Sequence, residues 1–335
     1  MSNIKDVARL TGLSISTISK YINGGNVLAE NRALIDHAIH TLDFKVNEAA
    51  RSLKTSKTMT VGALLPSLSV SFFSNLFSLI EDHLQRQGYS LIVCSYNNDP
   101  EQELNKIKFL ASKQVDGIIL VPERVDAEKV NAIKEIYNRK IPLVLLDRCI
   151  PGLEYDRILV DNSGISYAAV EHLLVNRHRR IGIMMGPSDI STGYERTLGY
   201  QRVLADYSIP LDPALMLMGD YTFAAGYRLF LEFMDMPDPP TAIFVTNYDM
   251  TLGAVTAAYE RKLKIPQDIS FIGFDEVRLT KMFNPPLSIV IQPMEEIAEQ
   301  TAATLLQRMR EDYTSFPLML RLKGELLLHE SVATL

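Results

Sequence analysis

Ser14, Ile15, Ser16 and Lys20 are the residue types required in the opening turns of a helix that enters the major groove of DNA. Hydroxyls and the Lys20 ammonium suit base-edge acceptors or phosphates, and Ile15 offers apolar contact to a thymine methyl. A second set lies further along: Ser67, the Asp147-Arg148 pair, Asn247 and Asp275 each follow a short apolar run. Hydroxyl, carboxylate, guanidinium and amide groups gathered at strand ends can hold a small polar ligand from several sides.

The first set needs a scaffold of short helices. Ile4, Val7 and Ala8 fall on one face of a first helix, and Ala8 is small enough for a second helix to cross closely. Gly12 permits the tight turn, Ser14 suits the N-cap of the second helix, and Leu13, Ile18 and Ile22 face inward. Leu34, Ile35, Ala38, Ile39 and Leu42 make the apolar stripe of a third helix. The Ala8, Gly12, Ile18 spacing is that of a helix-turn-helix, and it also fits two amphipathic helices meeting at a glycine in any helical corner. Charge favours the DNA reading: residues 1 to 56 carry +2 and the remainder −8 of the net −6. So weak a basic arm on an acidic body implies that two copies bind together.

The second set needs a different scaffold. From residue 60 on, apolar runs at Thr60 to Leu65, Leu91 to Cys94, Gly117 to Val121, Pro142 to Leu146, Ile181 to Met185, Ala242 to Val245 and Ile269 to Gly273 alternate with amphipathic stretches. That alternation predicts βαβ units with parallel strands buried on both faces. The 335 residues suffice for two such cores beside a small helical domain. Cys94 and Cys149 have no metal-ligand spacing and form no disulfide framework, which fits a reducing cytoplasm. No apolar run approaches ~18 residues and no signal sequence is readable, so neither a membrane nor export is expected.

With these residues in view, the chain resembles the lactose-repressor/galactose-repressor family of bacterial transcription factors over nearly its full length. Ile4-Lys5-Asp6-Val7-Ala8 and Thr17-Ile18-Ser19-Lys20-Tyr21-Ile22-Asn23 look like the family headpiece, and Asn47-Glu48-Ala49-Ala50-Arg51-Ser52-Leu53 looks like its hinge. The resemblance implies an α/β protein with an all-α helix-turn-helix headpiece (1–46), a hinge helix and linker (47–58) and a periplasmic-binding-protein-like core (59–335). That core would have two doubly wound parallel-sheet subdomains, about 59–160 with 290–317 and about 161–289 with 318–335. The chain would cross between them near Asp161, near Pro286 to Val290 and near Phe316 to Met319.

The same resemblance implies DNA contacts from Asn3, Lys5, Ser14, Ile15, Ser16, Thr17, Ser19, Lys20, Asn23, Asn31, Asn47 and Ala50, with Leu53 entering the minor groove. It places a small-molecule effector, a sugar or sugar acid, against Ser67, Ser71, Phe72, Phe73, Asp147, Arg148, Asp161, Arg196, Asn247 and Asp275. Three residues depart from the family pattern. Leu28 replaces the usual hydroxyl cap of the third helix, Lys20 replaces an arginine and loses its guanine-reading fork, and Tyr248 replaces an aspartate beside Asn247. Losing that carboxylate makes an anionic ligand less costly, which keeps a sugar acid open.

The helix after Pro293 is acidic, so docking of a phosphorylated carrier protein as corepressor is not expected. No catalytic constellation, metal site or cofactor motif is readable, which argues against an enzyme. The expected protein is a homodimeric repressor, its dimer contacts expected from the helix near Phe72 and from Leu305 and Met309. A small-molecule inducer would release it from double-stranded operator DNA. A corepressor response and a sugar-binding protein without DNA affinity are the alternatives.

Overall fold

Eleven α-helices and twelve β-strands form among the residues that the computed structural model describes, 2–22, 25–44, 57–123, 127–150, 152–275 and 283–335. The chain divides into two units, residues 1–59 and 60–335.

In the first unit, α1 (Ile4–Thr11), α2 (Ile15–Ile22) and α3 (Ala29–Thr41) close around Val7, Ile18, Ile35 and Ala38. Each boundary has a local cause. The Asn3 side chain accepts from Lys5 N while Asp6 accepts from Asn3 N, a capping box that starts α1. Gly12 ends it at φ +70°, a left-handed conformation that costs glycine little, and donates to Ala8 O. Ser14 Oγ accepts from Thr17 N at 3.2 Å at the start of α2. Leu28 supplies no side-chain bond at the start of α3, as its apolar side chain dictates. Leu34 is corrected: it is exposed, and the inward stripe of α3 runs through Ile35, Ala38 and Ile39.

The second unit begins with β1 (Thr60–Leu65), α4 (Ser71–Gln85), β2 (Ser90–Ser95), α5 (Pro100–Ser112), β3 (Gly117–Leu120), α6 (Ala127–Asn138), β4 (Leu143–Leu146) and β5 (Asp156–Val160). It continues with α7 (Asn162–Val175), β6 (Ile181–Met185), α8 (Ser191–Asp206), β7 (Met216–Met218), α9 (Phe223–Met234), β8 (Ala242–Val245), α10 (Tyr248–Glu260), β9 (Ser270–Phe274) and β10 (Ser288–Ile291). The last elements are α11 (Met294–Met309), β11 (Met319–Leu322) and β12 (Glu325–Leu327).

Two six-stranded sheets result, in the orders β11-β5-β4-β3-β1-β2 and β12-β10-β9-β8-β6-β7. Every pairing is parallel except β10 with β12. The central strands are buried on both faces, as their unbroken apolar runs require.

Two expected crossings shift. Ser288 pairs with Ile272, so β10 belongs to the second sheet and the chain leaves it only after Ile291. Met319 pairs with Arg157, so β11 belongs to the first sheet and the third crossing follows Leu322. Strands of four residues carry no signal for the sheet they join, because pairing is decided by which open edge lies nearby. Leu305 and Met309 are also corrected. Both are buried, and a Cβ placed on Gly117 of β3 would lie 3.0 Å from Leu305, so this face of α11 covers the first sheet and is not an outer surface for a dimer.

A fully buried ion pair anchors the approach to β11 within the first subdomain. Arg308 Nε and Nη2 donate to the two oxygens of Asp156 at 2.9 and 3.0 Å, and Arg308 Nη1 donates to Asp312 O and Thr314 O. Leu318 N donates to Asp156 as well, at 2.8 Å, so α11, β5 and the strand entering β11 share one charged knot. Replacing Asp156 by Ala leaves a buried guanidinium unpaired and is expected to cost about 3–5 kcal/mol. Denaturant unfolding checks this, and an unchanged midpoint would contradict it.

Candidate functional site

Within the helical unit, Asn3, Lys5, Ser14, Ile15, Ser16 and Lys20 are exposed, and Ile15 keeps 44% of its surface open to solvent. An isoleucine held open at the start of a helix has no packing role there. Thr17, Ser19 and Asn31 are half-buried. The Ser14 hydroxyl is hydrogen-bonded to those of Ser16 and Thr17 at 2.7 and 2.9 Å, a local cluster at the start of α2. Tyr21 donates to Asp36, tying α2 to α3, and that carboxylate holds the Tyr21 hydroxyl above its usual range. Asn23, Asn47, Ala50 and Leu53 lie outside the described residues, and with them the hinge.

In the larger unit, Arg196 on α8 is buried, and two of its three guanidinium nitrogens and one of its faces meet protein partners. Nε donates to Asn162 Oδ1 at 2.8 Å, Nη1 donates to Thr246 O at 2.5 Å, and its central carbon lies 3.8 Å from the centre of the Phe274 ring. Those partners stand at the ends of β5, β8 and β9. Asn247 caps α10 by accepting from Met250 N and donates to Tyr221 O at 3.0 Å. Asp161 caps α7 by accepting from Gly164 N at 2.9 Å. Arg148 lies 5.9 Å from the Phe73 ring centre, donates to Pro122 O and sits 3.6 Å from Asp147. Ser67 pairs with Ser69. These residues thus hold the strand ends in place through bonds within the protein.

A cavity of about 380 Å³ opens between the two sheets' subdomains. Of the expected effector contacts, Ser71, Phe72 and Asp275 line it. Tyr248, which the sequence marked beside Asn247, lines it too, as do Asn75, Gln292 and Glu295, which no sequence signal singled out as wall residues. Asn75 is mid-helix, and Gln292 sits in a crossing whose position only the sheet pairing reveals. Gln292 Nε2 donates to Asp275 Oδ1 at 2.5 Å, whereas its buried Oε1 has no partner.

Burial pushes the Asp275 carboxyl up to about 6. Arg196 and the Gln292 bond pull it down, and Asp147 and Asp249 push it up. Asp147 is likewise raised by burial against the pull of Arg148 and Arg196. Among the described residues, the contacts between the subdomains include Arg321 of β11 to Glu195 of α8 at 2.8 and 3.1 Å, and Cys149 N to Ser191 Oγ at 3.3 Å. Among the described residues no cluster of His, Cys, Asp or Glu suits a metal ion, and no helix is long and apolar enough to cross a membrane.

Comparison with known proteins joins the two units. The family of bacterial regulatory proteins of the lacI type matches residues 3–47, and the family of periplasmic binding proteins and sugar-binding domains of the lacI family matches residues 58–317. The chain belongs to the lacI family. It is a DNA-binding transcriptional repressor by kind, and no enzyme. The HTH-type transcriptional repressor PurR of Actinobacillus pleuropneumoniae serotype 3 (strain JL03) is 31% identical over 339 residues, covering all of this chain and 99% of that protein. A lac repressor dimer bound to operator and the anti-inducer ONPF has the same fold, with a TM-score of 0.89 at 22% identity over 99% of both chains. A LacI-family regulator from Enterococcus faecium with bound ribose gives 0.74 at 27% identity, over 82% of this chain and 99% of that one.

The raised Asp275 carboxyl has a signed consequence in this lacI-family repressor. The folded state holds the Asp275 proton more tightly than the unfolded chain, so its contribution to stability falls as pH rises from about 4 to about 6. Asp275→Asn removes that loss and is expected to stabilise the protein by on the order of 2–3 kcal/mol at pH 7 relative to its effect at pH 4. Thermal unfolding of both proteins across this range checks it, and parallel curves would contradict it.

Proposed function

We propose that this lacI-family repressor acts in the bacterial cytoplasm as a homodimer controlling carbohydrate-utilisation genes, and that a neutral hydroxylated sugar bound between the subdomains releases it from its operator. The cavity wall carries this reading. Ser71, Asp275 and the unpartnered Gln292 Oε1 supply a hydroxyl, a carboxylate and an amide oxygen, groups that pair with sugar hydroxyls. Its wall includes Asp275 and Glu295 but no Lys or Arg. Arg196, the cation expected to meet a sugar acid, does not line the cavity and spends two of its nitrogens on Asn162 and Thr246. The neutral sugar is therefore favoured over the acid.

Sugar binding would shift the subdomains against each other across the Arg321–Glu195 and Cys149–Ser191 contacts and change the spacing of the paired hinges, with a coupling of about 1–3 kcal/mol. Ile15, Ser16 and Lys20 would read base edges, Asn3, Lys5, Ser14, Thr17, Ser19, Asn23 and Asn31 would contribute to the headpiece contacts, and Asn47, Ala50 and Leu53 would act in the central minor groove.

A second reading has an observation in its favour. The PurR relatives suggest a purine base as effector, acting as corepressor, and Phe72 on the cavity wall offers such a base a flat apolar face. Calorimetric titration of the full chain with neutral sugars, their acids and purine bases separates the readings. A neutral sugar is expected to bind at least about tenfold more tightly than its acid, a difference of about 1.4 kcal/mol. Tighter binding of the acid or of a purine base would overturn the proposal.

A further inference from the structure

We infer that Asp275 and Gln292 form a proton-gated pair that selects the charge of the effector. Ionised, the pair takes a hydroxyl donor from a neutral ligand; protonated, it admits an anion. This rests on the carbohydrate reading above, which holds at neutral pH, and adds to it a dependence on protons.

Geometry ties the two side chains together. Both line the cavity, and both backbones are held: Asp275 N donates to Val290 O at 2.7 Å, and Gln292 O accepts from Met294 N at 2.9 Å. Gln292 is buried to all but 4% of its surface, with Nε2 donating to Asp275 Oδ1 at 2.5 Å and Oε1 without a partner. An open buried acceptor costs about 1–3 kcal/mol, and a ligand donor that reaches it removes that cost.

An ionised carboxyl has no donor, so Asp275 takes the donor end of the amide and leaves the acceptor end to the ligand. Protonation from solvent removes one negative charge from the wall and gives the carboxyl an O–H. That O–H is then offered to the ligand, or it bonds Oε1 and the amide turns its N–H groups outward. Either way the pair gains a donor that suits a carboxylate and loses the charge that repels one. A neutral hydroxyl bonds best to the ionised pair, because a charged acceptor makes the stronger hydrogen bond.

The surroundings bring this proton into range. Burial lifts the Asp275 carboxyl to about 6 against the pull of Arg196 on α8 and of the Gln292 bond, and Asp147 after β4 and Asp249 on α10 add to the lift. Tyr248 of α10 and Glu295 of α11 are the other titratable side chains on the cavity wall.

Calorimetry tests the pair on the full chain, with glucose and glucuronate, galactose and galacturonate, ribose and ribonate, and hypoxanthine, at constant ionic strength. The sugar carboxylates stay ionised across the range used. For the sugar and acid that bind, the affinity ratio of neutral to acid is expected to fall at least about fivefold from about pH 7.5 to about pH 5.5. Acid binding near neutral pH is expected to take up a proton, which buffers of different ionisation enthalpy reveal. Asp275→Asn is expected to flatten the ratio. Gln292→Leu is expected to move its midpoint to higher pH, because the bond that holds Asp275 ionised is gone. A ratio that does not vary with pH, a step that survives Asp275→Asn, or a midpoint unmoved in Gln292→Leu overturns the proton-gated pair and leaves the carbohydrate reading standing. Tighter binding of hypoxanthine, or binding of none of these sugars and acids, overturns that reading and the selection with it.

Discussion

A buried guanidinium must find partners, and the partners of Arg196 are the ends of three strands. Nε meets Asn162 after β5, Nη1 meets the Thr246 carbonyl after β8, and its face lies on Phe274 at the end of β9. Losing any one of them would leave part of a charge unsatisfied in a region where water cannot compensate. The three strand ends are therefore held in mutual register, and the cleft floor has one shape. Asp275 follows Phe274 directly and takes a left-handed φ of +67°, which a non-glycine residue holds only when its surroundings fix it. Its bond to Gln292 then links the floor to the crossing that leads into α11.

The Asp156–Arg308 pair does the same work in the first subdomain. There the charge is shared among β5, α11 and the segment leading to β11, so the approach to β11 is anchored as the cleft floor is. Among the described residues, contacts between these anchored regions include the bidentate Arg321–Glu195 pair and one bond to Ser191. Partly exposed ion pairs contribute about 1 kcal/mol or less. Rigid halves joined by contacts this weak suit a switch, because a ligand needs little differential affinity to move one half against the other.

Much of this was legible in the sequence where a residue type has one local job. Gly12 had to end α1, Ser14 had to start α2, and Leu28 had to leave α3 uncapped; each does so. Unbroken apolar runs gave the parallel strands. Periodicity marks an amphipathic helix without naming the neighbour that covers it, which is why Leu34 proved exposed and why Leu305 and Met309 proved to cover the first sheet. The crossings at Ile291 and Leu322 depended on which sheet edge lay open, a long-range property. Ser71, Phe72 and Asp275 were readable because they follow strands. Asn75, Gln292 and Glu295 were not, because helix and crossing residues reach a cavity only through tertiary packing.

The most direct test of Arg196 as the brace of the effector site is release from DNA. Operator sequences are selected from random duplexes by the full chain, and release by the proposed sugar effector is followed for the wild type and for Arg196→Lys, which keeps the charge and loses the fork. The variant is expected to bind operator as the wild type does and to need at least about tenfold more sugar for release, a difference of about 1.4 kcal/mol. Release of both proteins at the same sugar concentration would contradict the role given to Arg196.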